Sequence, residues 1–294
     1  MDTPKIGFIG LGLMGAAMVE CLQKAGYSVV VLGNRDRTGI EAALGRGATE
    51  AANAREVTEE SDVVMFCMGT SDHVESRVYG EDGVLAGVKP GQIVIDFGTS
   101  LPASTQKIGA DMAAKGAHYL DAPLGRTPAH AVDGNLNIMC AGDEAAYAEV
   151  KPVLDVLGEN VFHLGPLGAG HTIKLINNFF AMTTASAMSE AFSMADAAGI
   201  EREKLYSVMS AGPLKSGMMD FIKAYATEGR IDLAFSIANA AKDVGYYRSM
   251  AEGLGRHSYM SGCAHELLST ARDDGYADKL VPQVVDYISA KAKG

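Results

Sequence analysis

"GFIGLGLMGAAM", residues 7–18, decides the fold. A short apolar run ends at Gly10, the glycines continue as Gly10-Leu11-Gly12-Leu13-Met14-Gly15, and apolar residues at helical spacing follow. The order is strand, glycine turn, helix. Each glycine answers its own demand: Gly10 makes the tight turn, Gly12 lets a pyrophosphate reach the backbone, and Gly15 lets helix and strand pack closely. The helix N-terminus turns unsatisfied N–H groups toward the phosphates. The spacing alone is a weak signal. Here a strand precedes it, a helix follows, and a second strand ends about twenty residues on, as a dinucleotide-binding unit requires. Gly10, Leu11, Gly12, Leu13, Met14 and Gly15 are therefore the expected cofactor loop.

Where that second strand ends, NAD-binding proteins place a carboxylate for the ribose 2′-hydroxyl. This chain has Gly33-Asn34-Arg35-Asp36-Arg37-Thr38 there, with no carboxylate at the strand end and two arginines close behind. A guanidinium receives a 2′-phosphate that a carboxylate would repel. The expected cofactor is NADP, with Arg35 and Arg37 both receiving the phosphate and Asn34 beside them. The alternative is NAD, with Asp36 in the acidic role.

Further outward, β-rich runs alternate with helical segments. The candidate strands are "KIGFIG" (5–10), "SVVVLG" (28–33), "DVVMFCM" (62–68), "QIVIDF" (92–97), "HYLDAP" (118–123), "LNIMCAG" (136–142) and "NVFHLG" (160–165). Apolar strands alternating with helices predict a parallel sheet covered on both faces. After "GPLGAG" (165–170) the strand signals stop, and "KLINNFFAMTTASAMSEAFSMADAA" (174–198) reads as one long helix, apolar nearly all round and so deeply buried. The expected fold is α/β: a Rossmann-type, doubly wound N-terminal domain over 1–165, then an all-α domain over 166–294 for substrate and dimerisation, joined by the long helix.

Charge narrows the partners. The 294 residues carry a net charge of −11 with no basic stripe, which argues against nucleic acid and requires a local cationic site for any anionic substrate. No apolar run approaches a membrane span, and Met-Asp-Thr-Pro runs straight into the first strand, so a cytoplasmic protein is expected. The four cysteines are far apart and read as small buried hydrophobes. The seven histidines show no metal spacing. His171 reads as a support behind the site or a solvent-facing residue, and the methionines of 182–194 as core or subunit interface of a homodimer or homotetramer.

"GAGHTIKLINN" (168–178) opens the long helix and puts Lys174, Asn177 and Asn178 on one face. Such groups on an apolar helix are costly unless a site uses them, although a snorkelling lysine and a capping asparagine are an alternative. Together with "IGFIGLGLMG" (6–15), "DAPLG" (121–125) and "AAKDVG" (240–245), this segment makes essentially the whole chain resemble the β-hydroxyacid dehydrogenase family, which includes 3-hydroxyisobutyrate dehydrogenases and tartronate semialdehyde reductases. The resemblance implies an NAD(P)-dependent oxidoreductase that interconverts a short anionic aldehyde and its β-hydroxy acid. It implies Lys174 as the catalytic lysine and Asn178 as the substrate-positioning residue, with Asn177 beside them. Lys242 would close the cleft on the cofactor, Thr99 would line ribose and nicotinamide, and Met68 would border the adenosine side. The chemistry agrees: hydride addition to an aldehyde makes an alkoxide, and a lysine tuned toward neutrality can supply its proton. A cofactor-sensing module without catalysis is a further reading, and the retained Lys174 argues against it.

The substrate loop departs from the family pattern. Where the family commonly has Ser-Gly-Gly, this chain has Gly125-Arg126-Thr127. Gly69 replaces a common proline and Ala238 a common acidic residue, which bear on pocket shape. "GRT" with "KLINN" resembles the 3-sulfolactaldehyde reductases within the family. A guanidinium fork can bridge two sulfonate oxygens while the Thr127 hydroxyl and backbone N–H groups take the third. The alternatives are a carboxylate substrate, 3-hydroxyisobutyrate or tartronate semialdehyde, and an Arg126 that turns outward to Asp133 or another surface carboxylate.

Overall fold

The apolar runs of the first half line up in parallel in the computed structural model, which describes residues 3–291. Strands β1 (Ile6–Ile9), β2 (Val29–Leu32), β3 (Thr49–Ala51), β4 (Val63–Phe66), β5 (Ile93–Asp96) and β6 (His118–Asp121) form one sheet in the order β3-β2-β1-β4-β5-β6. Ile6 of β1 lies opposite Val29 on one side and Val63 on the other. Helices α1 (Leu13–Lys24), α2 (Thr38–Gly45), α3 (Ala54–Glu59), α4 (Ser71–Val78), α5 (Val84–Gly87) and α6 (Pro102–Ala113) connect the strands. Alternate side chains feed two cores, as the two-residue period of a strand demands. Val29 and Val31 of β2 pack with Met18 and Leu22 of α1, whereas Val30 and Leu32 pack with Val57 of α3 and Val74 of α4. Both faces are covered and the fold is doubly wound.

The last two expected strands do not extend that sheet. A second sheet combines β7 (Leu124–Gly125), β8 (Leu136–Cys140) and β9 (Gly158–His163), with helices α7 (Pro128–Val132) and α8 (Glu144–Leu157) between them. β8 and β9 are parallel, but β7 is antiparallel to β8, and Asp121 at the end of β6 pairs antiparallel with Ala141. The chain doubles back after "DAP", so the sheet expected to be wholly parallel becomes a parallel sheet and a mixed one. β3 and β7 were not among the candidate strands; they are three and two residues long and exist through pairing, not through an apolar pattern.

Helix α9 (Ala169–Ala197) starts before the predicted lysine, and the chain divides into two compact units within it, one through Lys174 and one from Leu175 onward. The second unit contains α10 (Arg202–Ser210), α11 (Gly217–Glu228), α12 (Ile237–Gly253), α13 (Tyr259–Ala271) and α14 (Val284–Lys291). Its core joins Met182, Met188 and Phe192 of α9 to Ile237 and Val244 of α12 and Leu268 of α13. Deep burial of α9 on every side is corrected: Phe180 is 71% and Met194 66% exposed, because the unit packs only one stripe of the helix. The reading of all four cysteines as buried is corrected too. Cys21 and Cys140 are buried, Cys67 is half-buried, and Cys263 on α13 is exposed.

Candidate active site

The order of the strands reverses between β1 and β4, so their carboxyl ends flank the crevice where such sheets hold ligands. Gly10 leaves β1 with φ 103°, and a Cβ there would meet the Cys67 carbonyl and the Met68 sulfur, the latter at 2.9 Å. A Cβ on Gly15 would strike the Gly10 carbonyl, whereas one on Gly12 would meet nothing within 4 Å. Gly12 is the N-cap of α1, no side chain caps that end, and its first turn holds no acidic residue. Leu11 is half-buried, Leu13 is exposed and Met14 packs partly onto the core, so the loop presents backbone N–H groups beside open space. This cradle fits a pyrophosphate. Met68 follows β4 against Gly10, and Thr99 follows β5, which places both at the same edge of the sheet.

At the end of β2, Asn34 and Arg35 are exposed, and the Asn34 side-chain oxygen accepts the Arg35 N–H at 2.8 Å. Asp36 accepts the Thr38 N–H at 2.9 Å, which lowers its pKa and engages its carboxylate within its own turn. Arg37 does not stand open to a phosphate: its guanidinium forks onto Glu50 of β3, Nη1 to Oε1 at 2.6 Å and Nη2 to Oε2 at 2.9 Å. Sequence reasoning missed Glu50, which reaches this place by pairing of β3 with β2.

Buried polar groups fix the start of α9. The wholly buried Asp121 carboxylate accepts the N–H of Gly168 at 2.8 Å and of His171 at 2.7 Å, tying the first turn of the helix to the end of β6. Gly170 must be glycine, since a Cβ would meet the Met139 carbonyl and the Asp121 carboxylate. His171 is not solvent-facing; it is fully buried, 2.7 Å from the Thr105 hydroxyl and 3.8 Å from both the Asp96 and Asp121 carboxylates. Burial pushes the Asp121 carboxyl pKa up, and the nearby His171 and the two N–H donors oppose that shift. Three residues past His171, the half-buried Lys174 donates from Nζ to the Leu124 carbonyl at 2.7 Å, so the lysine is seated against the loop that carries Arg126.

In the second unit, buried Asn178 donates its amide to Asp243 at 2.6 Å, and Lys242 pairs with the same carboxylate at 2.9 Å. Exposed Asn177 donates to the Asn178 oxygen at 3.2 Å. Asp243 is a second residue to which sequence reasoning gave no role, although "AAKDVG" contained it; its signal was a carboxylate on a helix face whose neighbours are apolar. Ser236 caps α12 by accepting the Asn239 N–H, which sets the turn that carries Lys242 and Asp243.

The loop after β6 holds the one non-glycine with positive φ among the described residues, Arg126, at 76°. Its Nη1 donates to the Asn135 carbonyl at 2.7 Å and to the Glu159 carboxylate. The partner is Glu159 of β9, a surface carboxylate other than Asp133, as the alternative reading allows. Both bonds run through Nη1, and among the described residues no hydrogen bond engages Nε or Nη2. Gly125 lies in β7, and the Thr127 hydroxyl bonds to His130 Nδ1 at 2.7 Å. Among the described residues no group of three or more His, Cys, Asp or Glu side chains could hold a metal ion, and no helix is long and apolar enough to cross a membrane.

Comparison with known proteins bears on the family. Residues 5–165 match the family described as the NAD binding domain of 6-phosphogluconate dehydrogenase. Residues 168–288 match the one described as NAD-binding of NADP-dependent 3-hydroxyisobutyrate dehydrogenase. The chain is 31% identical to the NAD-dependent L-serine dehydrogenase of Pseudomonas aeruginosa, covering 94% of each chain. It is 30% identical to the 3-sulfolactaldehyde reductase of Escherichia coli, covering 92% of this chain and 91% of the relative. A crystal structure of 3-hydroxyisobutyrate dehydrogenase from Salmonella typhimurium superposes with a TM-score of 0.83 at 28% identity, covering 96% of this chain and 99% of the other.

Proposed function

The chain belongs to the β-hydroxyacid dehydrogenase family of NAD(P)-dependent oxidoreductases, and from that premise we propose that it interconverts 3-sulfolactaldehyde and its alcohol. The observation that carries the substrate is Arg126. A left-handed backbone costs an L-residue about 1–2 kcal/mol, glycine would remove that cost, and such strain gathers at functional positions. With Nη1 held by Asn135 and Glu159, Nε and Nη2 remain as a pair of donors for two oxygens of a tetrahedral anion.

The bound dinucleotide supplies the hydride. Lys174 gives its proton to the alkoxide oxygen on reduction and takes it back on oxidation. The Leu124 carbonyl holds Nζ beside the loop that carries Gly125, Arg126 and Thr127, so the proton donor and the anion anchor share one scaffold. Asp243 fixes the Asn178 amide, which orients the substrate hydroxyl without adding charge, with Asn177 next to it. Gly10 to Gly15 receive the pyrophosphate, Met68 and Thr99 border the nucleotide from the ends of β4 and β5, and Lys242 acts on the cofactor side. The proposed cofactor is NADP, received at Asn34 and Arg35, with NAD as the alternative. The exposed apolar side chains of α9 support a homo-oligomer, a dimer or tetramer, which light scattering measures directly.

The engagement of Arg126 by Glu159 favours a second reading, a carboxylate substrate such as 3-hydroxyisobutyrate or tartronate semialdehyde, for which a free guanidinium is not needed. Steady-state efficiencies on 3-sulfolactaldehyde and on tartronate and methylmalonate semialdehydes, each with both cofactors, decide between them. The sulfonate should win by about tenfold, ~1.4 kcal/mol; a carboxylate that wins by as much transfers the function to the second reading.

A further inference from the structure

The place where a carboxylate is absent from the sequence is not empty of one in space. β2 ends at Leu32, and the next residue, Gly33, is where an acidic side chain would be expected to serve the adenosine ribose. A Cβ built on Gly33 runs into Oε1 of Glu50 and comes within 2.8 Å of Arg37 Nη1. The Glu50 carboxylate therefore fills the volume that a side chain at position 33 would occupy. It arrives from β3, where Glu50 pairs in register with Val31 of β2.

The surroundings fit a ribose hydroxyl. An open cavity of about 560 Å³ is lined by Leu32, Gly33, Asn34, Arg37, Glu50 and Ala52. The Arg37 fork holds the carboxylate in one orientation and keeps its pKa below the usual glutamate range, so it is ionised at neutral pH. Each carboxylate oxygen can accept a further bond beyond the one from Arg37. Glu56, the other carboxylate at this cavity, is occupied by the Ala52 N–H at 2.7 Å. Asp36 is occupied by Thr38.

We infer that Glu50 is the specificity-determining residue for the dinucleotide: it accepts the 2′-hydroxyl of an NAD ribose and withholds Arg37 from the 2′-phosphate of NADP. The inference rests on the dinucleotide reading of the first unit. Two sets of groups then serve two cofactors. NAD is held through Glu50, and NADP through Asn34 and Arg35 against the opposition of Glu50. Replacing the carboxylate by a neutral amide leaves the ribose only a weaker acceptor and frees a second guanidinium for the phosphate, so the two affinities move in opposite directions.

Binding, not turnover, tests this. NADH and NADPH are titrated without substrate into the wild type and Glu50→Gln, following nicotinamide fluorescence, with ADP and 2′,5′-ADP as fragments titrated by calorimetry. The side chains of Arg37 and Glu50 are 43% and 30% exposed, so the substitution leaves the core untouched. The Kd ratio of NADH to NADPH should rise about tenfold or more in Glu50→Gln, and the fragment ratio should follow. Arg37→Gln leaves Glu50 without its counter-charge and should weaken NADPH more than NADH. An unchanged ratio in Glu50→Gln, or an equal loss of both cofactors in either variant, overturns the role of Glu50 while the dinucleotide site stands. Failure of both cofactors to bind the wild type overturns the dinucleotide reading itself, and this inference with it.

Discussion

Replacing Arg126 by glycine separates what the fold needs at this position from what the chemistry needs. Glycine recovers the cost of the left-handed backbone, about 1–2 kcal/mol at a φ of 76°. Its greater freedom in the unfolded chain takes back ~0.5–1 kcal/mol. Loss of the Glu159 pair costs about 0.5 kcal/mol, since the two side chains are 29% and 55% exposed. Loss of the bond to the Asn135 carbonyl costs about 1 kcal/mol. These terms nearly cancel, so Arg126→Gly should lie within ~1 kcal/mol of the wild type in unfolding free energy. Arg126→Ala loses the same partners and keeps the strain, and should be less stable than Arg126→Gly by about 1 kcal/mol. Both variants lose the same guanidinium. On 3-sulfolactaldehyde both should lose about a hundredfold in kcat/KM, ~2.7 kcal/mol of transition-state stabilisation. Urea unfolding followed by circular dichroism, suited to a chain with no tryptophan, gives the first quantity, and NAD(P)H absorbance gives the second. Equal stability of the two variants refutes the strain argument. Efficiency kept within about threefold in both refutes the anchor.

Lys174→Ala should lower kcat by about a hundredfold or more while leaving dinucleotide affinity unchanged; near-normal turnover removes Lys174 from the proton-transfer role. Asp243→Ala should destabilise the protein by about 3 kcal/mol, because it strips Asn178 and Lys242 of a buried partner, and thermal unfolding measures the loss. Burial holds the thiols of Cys67 and Cys140 at a pKa of about 12, so neither carries appreciable thiolate at pH 8, and burial raises that of Cys21 as well. Iodoacetamide should therefore label the exposed Cys263 first, and a tryptic mass map showing Cys67 modified at a comparable rate contradicts that burial.

The glycine loop was legible because everything it needs is local: a strand, three glycines at fixed offsets and a helix start within a dozen residues. That Lys174 and the asparagines share one helix was legible for the same reason, as polar groups at one-turn spacing on an apolar segment. What failed involved partners distant in sequence. Thr49-Glu50-Ala51 has no apolar alternation, and only its pairing with β2 makes it a strand and brings Glu50 to Gly33. Arg126 offers a guanidinium to any nearby carboxylate; the turn geometry selects Glu159, 33 residues away, over the closer Asp133. His171 looked like a polar residue near a helix start. Its burial follows from Asp121, which draws the first turn of α9 onto the end of β6.

The strand order also bears on how the chain is made. During synthesis β1, β2 and β3 emerge in turn and can pair at once, but the second edge of β1 waits for β4, so Ile6 meets Val63 only after 57 further positions have been translated. At about 5–20 residues per second, a fully apolar strand edge stays open on the ribosome for seconds. Open edges of that composition pair with whatever strand they meet. The same central placement of β1 that puts the glycine loop at the crevice therefore leaves the start of the nascent chain with an unpaired apolar edge until β4 has been made.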